Sequence, residues 1–237
     1  MRELIASGLE QLGLAPSVPP DGAERLERYG QMLLRQNEVM NLTAITDPHD
    51  VATLHMLDCA PLLDCGRMQG RRLIDVGTGA GFPGMVLKLL CPTLEITLLD
   101  SLQKRLDWLG STAAALEVTG MTTLHGRAEE AGRDPALREQ FDFATARAVA
   151  DLRLLSELCL PFVRVGGRFL AMKSVECGSE LEAALPAIDL LGGQLIGCHD
   201  YKIPHTQVTH RVVVVEKVRP TPARFPRRWA KIQNCPL

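Results

Sequence analysis

This 237-residue chain has no apolar run long enough to cross a bilayer, a task that takes about 20 consecutive apolar residues. Its first residues, MRELIASGLEQLGL, lack the charge–apolar–cleavage order of a secretory leader. Seven cysteines contain no Cys-x-x-Cys pair, which argues against a zinc site, and their odd number argues against a disulfide framework. Reduced thiols in a cytoplasmic protein, used as small buried filler, are the expectation. A net charge of −2 excludes a globally basic nucleic-acid binder but leaves local basic patches open. No internal repeat or low-complexity tract occurs. Residues 219–237 hold no acid beside Arg219, Arg224, Arg227, Arg228 and Lys231. With 46% hydrophobic and 23% charged residues, the chain can bury the core of one large α/β domain, alone or with an extension.

One segment, LIDVGTGAGFPGMVLKLLCPTLEITLLDS over residues 73–101, carries most of the functional signal. An apolar strand (Leu73, Ile74, Val76) runs into the turn Gly77-Thr78-Gly79-Ala80-Gly81. A helix is predicted from Pro83, whose missing N–H suits the first helical position. A second apolar strand ends in Asp100. Glycines permit positive φ and let a ligand lie against bare backbone. An acid about 20 residues further on is placed to accept hydrogen bonds from ribose hydroxyls. The pattern therefore reads as a nucleoside-cofactor pocket, the alternative being a glycine-rich surface turn without a ligand.

Read as Asp75-x-Gly77-x-Gly79-x-Gly81, the turn matches a pattern of S-adenosylmethionine-dependent methyltransferases. Gly79-Ala-Gly81-Phe-Pro-Gly84 also fits the dinucleotide fingerprint. Register favours the methyl donor, because the fingerprint's first glycine would come two residues late and Asp75 would repel a pyrophosphate.

Three parts are predicted. Residues 1–70 form a helical N-terminal extension, with Leu26, Tyr29, Leu33 and Leu34 at helical spacing, a start signal at Pro19-Pro20-Asp21 and a turn at Asp47-Pro48. Residues 71–218 alternate strands (72–76, 94–99, 121–125, 141–146, 167–172) with helices (102–115, 152–163, 180–191), which implies a parallel sheet covered on both faces. Two adjacent strand-like stretches, 195–203 and 210–217, predict an antiparallel hairpin closing that sheet. Residues 219–237 form a basic tail. Together these give an α/β, Rossmann-like seven-stranded methyltransferase sheet with a helical extension. Beside a nucleoside pocket the tail becomes a candidate phosphate contact. Deleting it is expected to weaken RNA binding and leave donor binding intact.

Several motifs in order, Asn41-Leu-Thr-Ala-Ile45, His55-x-x-Asp58, Asp75 to Gly84, Leu98 to Arg105, Arg127-Ala-Glu129, Ala146-Arg-Ala148 and Ala171-Met-Lys173, resemble the bacterial guanine-N7 methyltransferases of small-subunit ribosomal RNA, the glucose-inhibited division protein B family. The resemblance implies S-adenosylmethionine as cofactor and 16S ribosomal RNA or the small ribosomal subunit as partner, with a monomer expected and no membrane. It also implies site residues. Asp75, Gly77, Gly79, Gly81 and Phe82 would surround the donor, Asp100 its ribose, and Ala128 and Glu129 its adenine. Arg147 would stand between donor and substrate, and Arg127 and Lys173 near the RNA. Two departures from the family's pattern are Cys59, where a serine is common, and the stretch from Trp229 to Cys235.

Guanine N7 presents a lone pair in the major groove and needs no general base, so no catalytic triad or metal cluster is expected. The absence of Pro-Cys and of Asn/Asp-Pro-Pro-Tyr/Phe argues against pyrimidine-C6 and amino-group methylation. Blander readings stay open: Arg147 as a structural ion-pair residue, His55 and Asp58 as a local helix contact, Phe82 as ordinary core. So do a small-metabolite methyltransferase and a non-catalytic nucleotide-binding module.

Overall fold

The computed structural model describes residues 1–147 and 150–237, so Ala148 of the Ala146-Arg-Ala148 motif lies outside the described residues. Seven strands form one sheet: β1 (Arg72–Val76), β2 (Glu95–Asp100), β3 (Met121–His125), β4 (Phe141–Arg147), β5 (Val163–Ser174), β6 (Gly193–Lys202) and β7 (Thr209–Lys217). Their spatial order is β3-β2-β1-β4-β5-β7-β6. The first five are mutually parallel, and β7 inserts antiparallel between β5 and β6. The predicted hairpin is therefore present, its second strand entering the sheet interior and its first becoming the edge. Nine α-helices occur among the described residues: α1 (Arg2–Gln11), α2 (Gly22–Asn37), α3 (Pro48–Asp50), α4 (Gly84–Leu90), α5 (Gln103–Ala115), α6 (Ala128–Ala131), α7 (Leu152–Cys159), α8 (Gly178–Leu190) and α9 (Trp229–Asn234). The short α3 starts at Asp47, whose side chain accepts from the amides of His49 and Asp50, and passes into a π-helical run, Val51–Leu57. Pro83 stands one position before α4 instead of opening it.

Period-two alternation sorts the strand side chains into two cores. Leu73, Ile96, Leu98, Leu170, Met172, Val212 and Val214 face one side and pack with α1, α2, the π-helical run, α4 and α5. Their neighbours Ile74, Leu99, Phe169, Ala171, Val213 and Val215 face the other, against α7 and α8. The first 70 residues thus bury Ile5, Leu9, Leu26, Tyr29 and Leu33 against the sheet's own core. No described helix is long and apolar enough to cross a membrane. Five cysteines are buried as filler, but Cys198 and Cys235 are exposed, contrary to that expectation.

The basic tail is packed against the domain. Phe225 and Ile232 are buried in the second core, and Arg138 donates to the carbonyls of Thr221, Pro222 and Phe225. Arg227 is engaged by Glu157 at 2.6 Å and Arg219 by Asp189 at 2.5 Å, while Arg224 lies over the Phe225 ring. Apolar residues spaced between the cations anchor the segment, which composition alone concealed.

Candidate active site

Strand order reverses between β1 and β4, and in open α/β sheets ligands bind beyond the carboxyl ends of the strands at such a switch point. The glycine turn leaves β1 there, and Arg147 ends β4. A small cavity of about 150 Å³ lies on the β1–β2–β3 side, lined by Gly77, Asp100, Arg127, Ala128, Glu129, Leu158 and Trp229 among others. A larger one, about 700 Å³, lies on the β4–β5 side and includes His55, Asp58, Arg147, Lys173, Glu180 and His210.

Asp100 organises the small cavity. It is 4% exposed and accepts from the amides of Gly79 (2.9 Å) and Leu102 (2.8 Å), with Arg105 at 3.6 Å. A carboxylate has about four acceptor sites, so lone pairs remain for ribose hydroxyls. Gly77 and Gly79 both take positive φ, +74° and +58°. A Cβ on Gly79 would project into open space, with only the Gly77 carbonyl 4.0 Å away. That bare, open backbone beside a half-used carboxylate fits a nucleoside-bearing donor. Arg127 precedes α6, and its Nε meets Glu129 at 3.3 Å.

Three expected donor contacts are placed differently. Asp75 is fully buried; its Oδ2 accepts from Thr78 Oγ1 (2.7 Å) and the Gly84 amide (2.9 Å), pinning the turn to α4. Burial pushes its pKa up to about 6 against those two hydrogen bonds, and Oδ1 has no partner among the described residues. Gly81 faces inward, where a Cβ would lie 2.5 Å from Tyr29 Oη. Phe82 is 4% exposed, stacked on His55 at 4.4 Å with the Arg147 guanidinium over its ring at 5.0 Å. All three shape the turn from beneath, because each side chain or α-carbon points into the core.

Arg147 occupies a built cradle. Nη1 donates to the Leu54 carbonyl (3.2 Å) and Asp58 Oδ2 (3.3 Å), and Nη2 to His55 Nδ1 (2.9 Å). An arginine only donates, so Nδ1 accepts and the His55 proton sits on Nε2, which meets Thr43 Oγ1 at 2.7 Å. Burial, then the Arg147 charge, lowers the His55 pKa to about 3. Asp58 Oδ1 also accepts from the Tyr201 hydroxyl (2.8 Å) and His210 Nδ1 (2.7 Å); this hydrogen bond raises the His210 pKa. His55 and Asp58 therefore meet through Arg147, not as a local helix pair. Lys173 lines the same cavity but is held by Glu180 at 2.5 Å. Arg127 and Lys173 flank the mouth, four strand spacings apart, or about 19 Å.

Thr43, Tyr201, His210 and Trp229 were not reached by sequence reasoning as site residues. Thr43 sits within the Asn41–Ile45 motif, which had no physical role until the fold placed it against His55. Tyr29 from α2 donates to the Ala80 carbonyl, so the N-terminal helices brace the glycine turn directly.

The family model described as rRNA small subunit methyltransferase G matches residues 22–208. The ribosomal RNA small subunit methyltransferase G of Symbiobacterium thermophilum is 45% identical, covering 100% of this chain and 98% of its own. That of Alkaliphilus metalliredigens is 41% identical, covering 99% and 98%. Among solved structures, TYW2 of M. jannaschii in complex with AdoMet aligns with a TM-score of 0.53 at 13% identity, over 68% of this chain and 75% of its own. A precorrin methyltransferase from Geobacter metallireducens aligns with 0.51 at 15%, over 67% and 87%. These two likenesses support the fold alone, whereas matches spanning the whole chain place it in the rRNA small subunit methyltransferase G family.

Proposed function

We propose that this chain transfers the methyl group of S-adenosylmethionine to N7 of a specific guanine in 16S ribosomal RNA, acting as a cytoplasmic monomer. The observation that carries this is a small cavity beside Gly77 and Asp100 on one side of the strand-order switch and a larger one on the other, with Arg147 lining the larger at the end of β4. When bound, S-adenosylmethionine supplies an electrophilic methyl group. Gly77, Gly79, Asp100, Ala128 and Glu129 would hold it, and Asp75, Gly81 and Phe82 would keep the turn in shape from below.

Guanine N7 carries no proton in its reactive form, so the protein has none to remove. What it must do is position the base and keep a fixed polar environment around it. Arg147 suits that task, since its cradle fixes the guanidinium before substrate arrives. Free donors on the fork would then grip guanine O6 or a phosphate. Arg127 and Lys173, on opposite flanks, are assigned to the RNA backbone. The 219–237 segment is assigned to the donor side, since Trp229 lines that cavity; its deletion would strip a wall from the donor site and not merely a phosphate contact.

The test is to map modified guanines in 16S ribosomal RNA from cells with and without this gene. Loss of a single N7-methylguanine, restored by the wild-type gene, is expected. An unchanged modification map would overturn the proposal.

A further inference from the structure

The C-terminal helix contributes one large aromatic to a cavity otherwise built from strand ends and from residues of α6 and α7. Trp229 is the first residue of α9 and remains half-buried, while lining the small cavity together with Gly77, Asp100, Ala128, Glu129 and Leu158. Its position is fixed from both sides. Two residues earlier, Arg227 donates from Nη2 (2.6 Å) and Nε (2.9 Å) to Glu157, a carboxylate buried on α7. Three residues later, Ile232 is fully buried. These anchors hold the segment that carries the indole at the cavity wall. The volume there, about 150 Å³, is below the roughly 300–1,000 Å³ of a whole small-molecule site, so it takes one part of a ligand. Asp100 stands on the ribose side; Leu99, Ala128, Leu158 and the indole supply apolar wall, with Arg127 and Glu129 as polar groups among them. That is the lining a flat heteroaromatic base requires.

We infer that Trp229 is a positioning residue of the donor site, its indole stacking on the adenine base and closing the subsite from the C-terminal side. The inference rests on the adenosyl donor proposed above. It gives the tail a role that its charge did not suggest: Arg227 is there to hold the segment down, and the aromatic is what the segment delivers. Loss of base stacking on an aromatic weakens binding about 5- to 150-fold.

The chain has two tryptophans, and the other, Trp108, is 8% exposed and packed on Tyr29, which makes indole emission a direct readout. S-adenosylhomocysteine and adenosine are titrated into wild type, Trp229→Phe and Trp229→Ala, by calorimetry and by fluorescence. Wild-type emission is expected to change on binding, and that of Trp229→Phe to stay nearly constant while affinity falls less than about threefold. Trp229→Ala is expected to lose about tenfold or more for both ligands by a similar factor, because the lost contact is to the base they share. Thermal unfolding of all three variants checks that the anchored tail stays folded. Equal affinity of Trp229→Ala and wild type would overturn the inference, as would full loss in the Phe variant. A wild-type protein that binds neither ligand would instead overturn the donor reading.

Discussion

Replacing His55 with glutamine removes an imidazole that burial, and then the Arg147 charge, keeps neutral. The folded-state pKa is lowered to about 3 from an ordinary 6.5, by burial first and the guanidinium second. An unfolded chain takes up this proton as pH falls through 6.5, while the folded protein refuses it until near 3. Stability contributed by this site is therefore full above 6.5 and declines with acidification. At pH 4.5 the unfolded state has gained two units of binding, about 2.7 kcal/mol at 1.36 kcal/mol per unit, and over the whole window about 5 kcal/mol. Asp75 acts in the opposite direction. Its folded pKa, about 6 against 3.8, lets the native state take up a proton first, so acidification below 6 offsets part of the loss. Subtracting the variant from wild type cancels that contribution. Glutamine still offers an oxygen to Arg147 and an N–H to Thr43, so its packing cost is the same at every pH. Urea unfolding of both proteins from pH 7.5 to 4.5 should show wild type losing about 2–3 kcal/mol relative to His55→Gln. Parallel stability curves would refute both the neutral imidazole and the tautomer assigned to it.

Two glycines of the same turn should behave in opposite ways. Gly79→Ala places a methyl in open space at φ +58°, costing about 1 kcal/mol in stability, yet it fills the donor cradle; calorimetry should show donor affinity down at least about tenfold. Gly81→Ala drives a Cβ to 2.5 Å from Tyr29 Oη at φ +87°, and denaturant unfolding should register about 2–4 kcal/mol of lost stability from overpacking and backbone strain together.

The strands, the hairpin and the glycine turn were legible because each rests on local chemistry: period-two apolar residues, positive-φ glycines, an acid at a strand end. Leu73/Ile74 and Val212–Val215 are apolar on both faces, so which core each residue joins emerged only from the folded sheet. Asp75 and Phe82 were read by motif as donor contacts, yet both point inward, since spacing along a turn does not say which side of it faces the ligand. The Arg147 cradle was illegible for a different reason. Thr43, His55, Asp58, Tyr201 and His210 converge from segments up to about 170 positions apart, and no local pattern links them. In the tail, counting charge concealed packing: Phe225 and Ile232 are the residues that fix it, and the cations follow.

The proposed place of Arg147 beside the target base raises a physical difficulty, because methylation at N7 leaves the purine cationic and a free positive charge would oppose it. The cradle resolves this. Asp58, 2% exposed, sets a carboxylate 3.3 Å from Nη1, so the pair presents little net charge to the larger cavity. Of the five N–H donors of an arginine, three are engaged among the described residues by Leu54, Asp58 and His55, and Nε–H and one on Nη2 are the directional donors that the proposal assigns to substrate. Arg147→Lys separates charge from geometry. A lysine has only three N–H donors and no planar fork; the same three acceptors would consume them all, leaving nothing for the substrate. The expected result is donor affinity within about threefold of wild type and turnover on ribosomal RNA reduced about 100-fold, close to 2.7 kcal/mol. Near-normal turnover in Arg147→Lys would mean that positive charge alone is what the reaction needs, and the directional role of the fork would be lost.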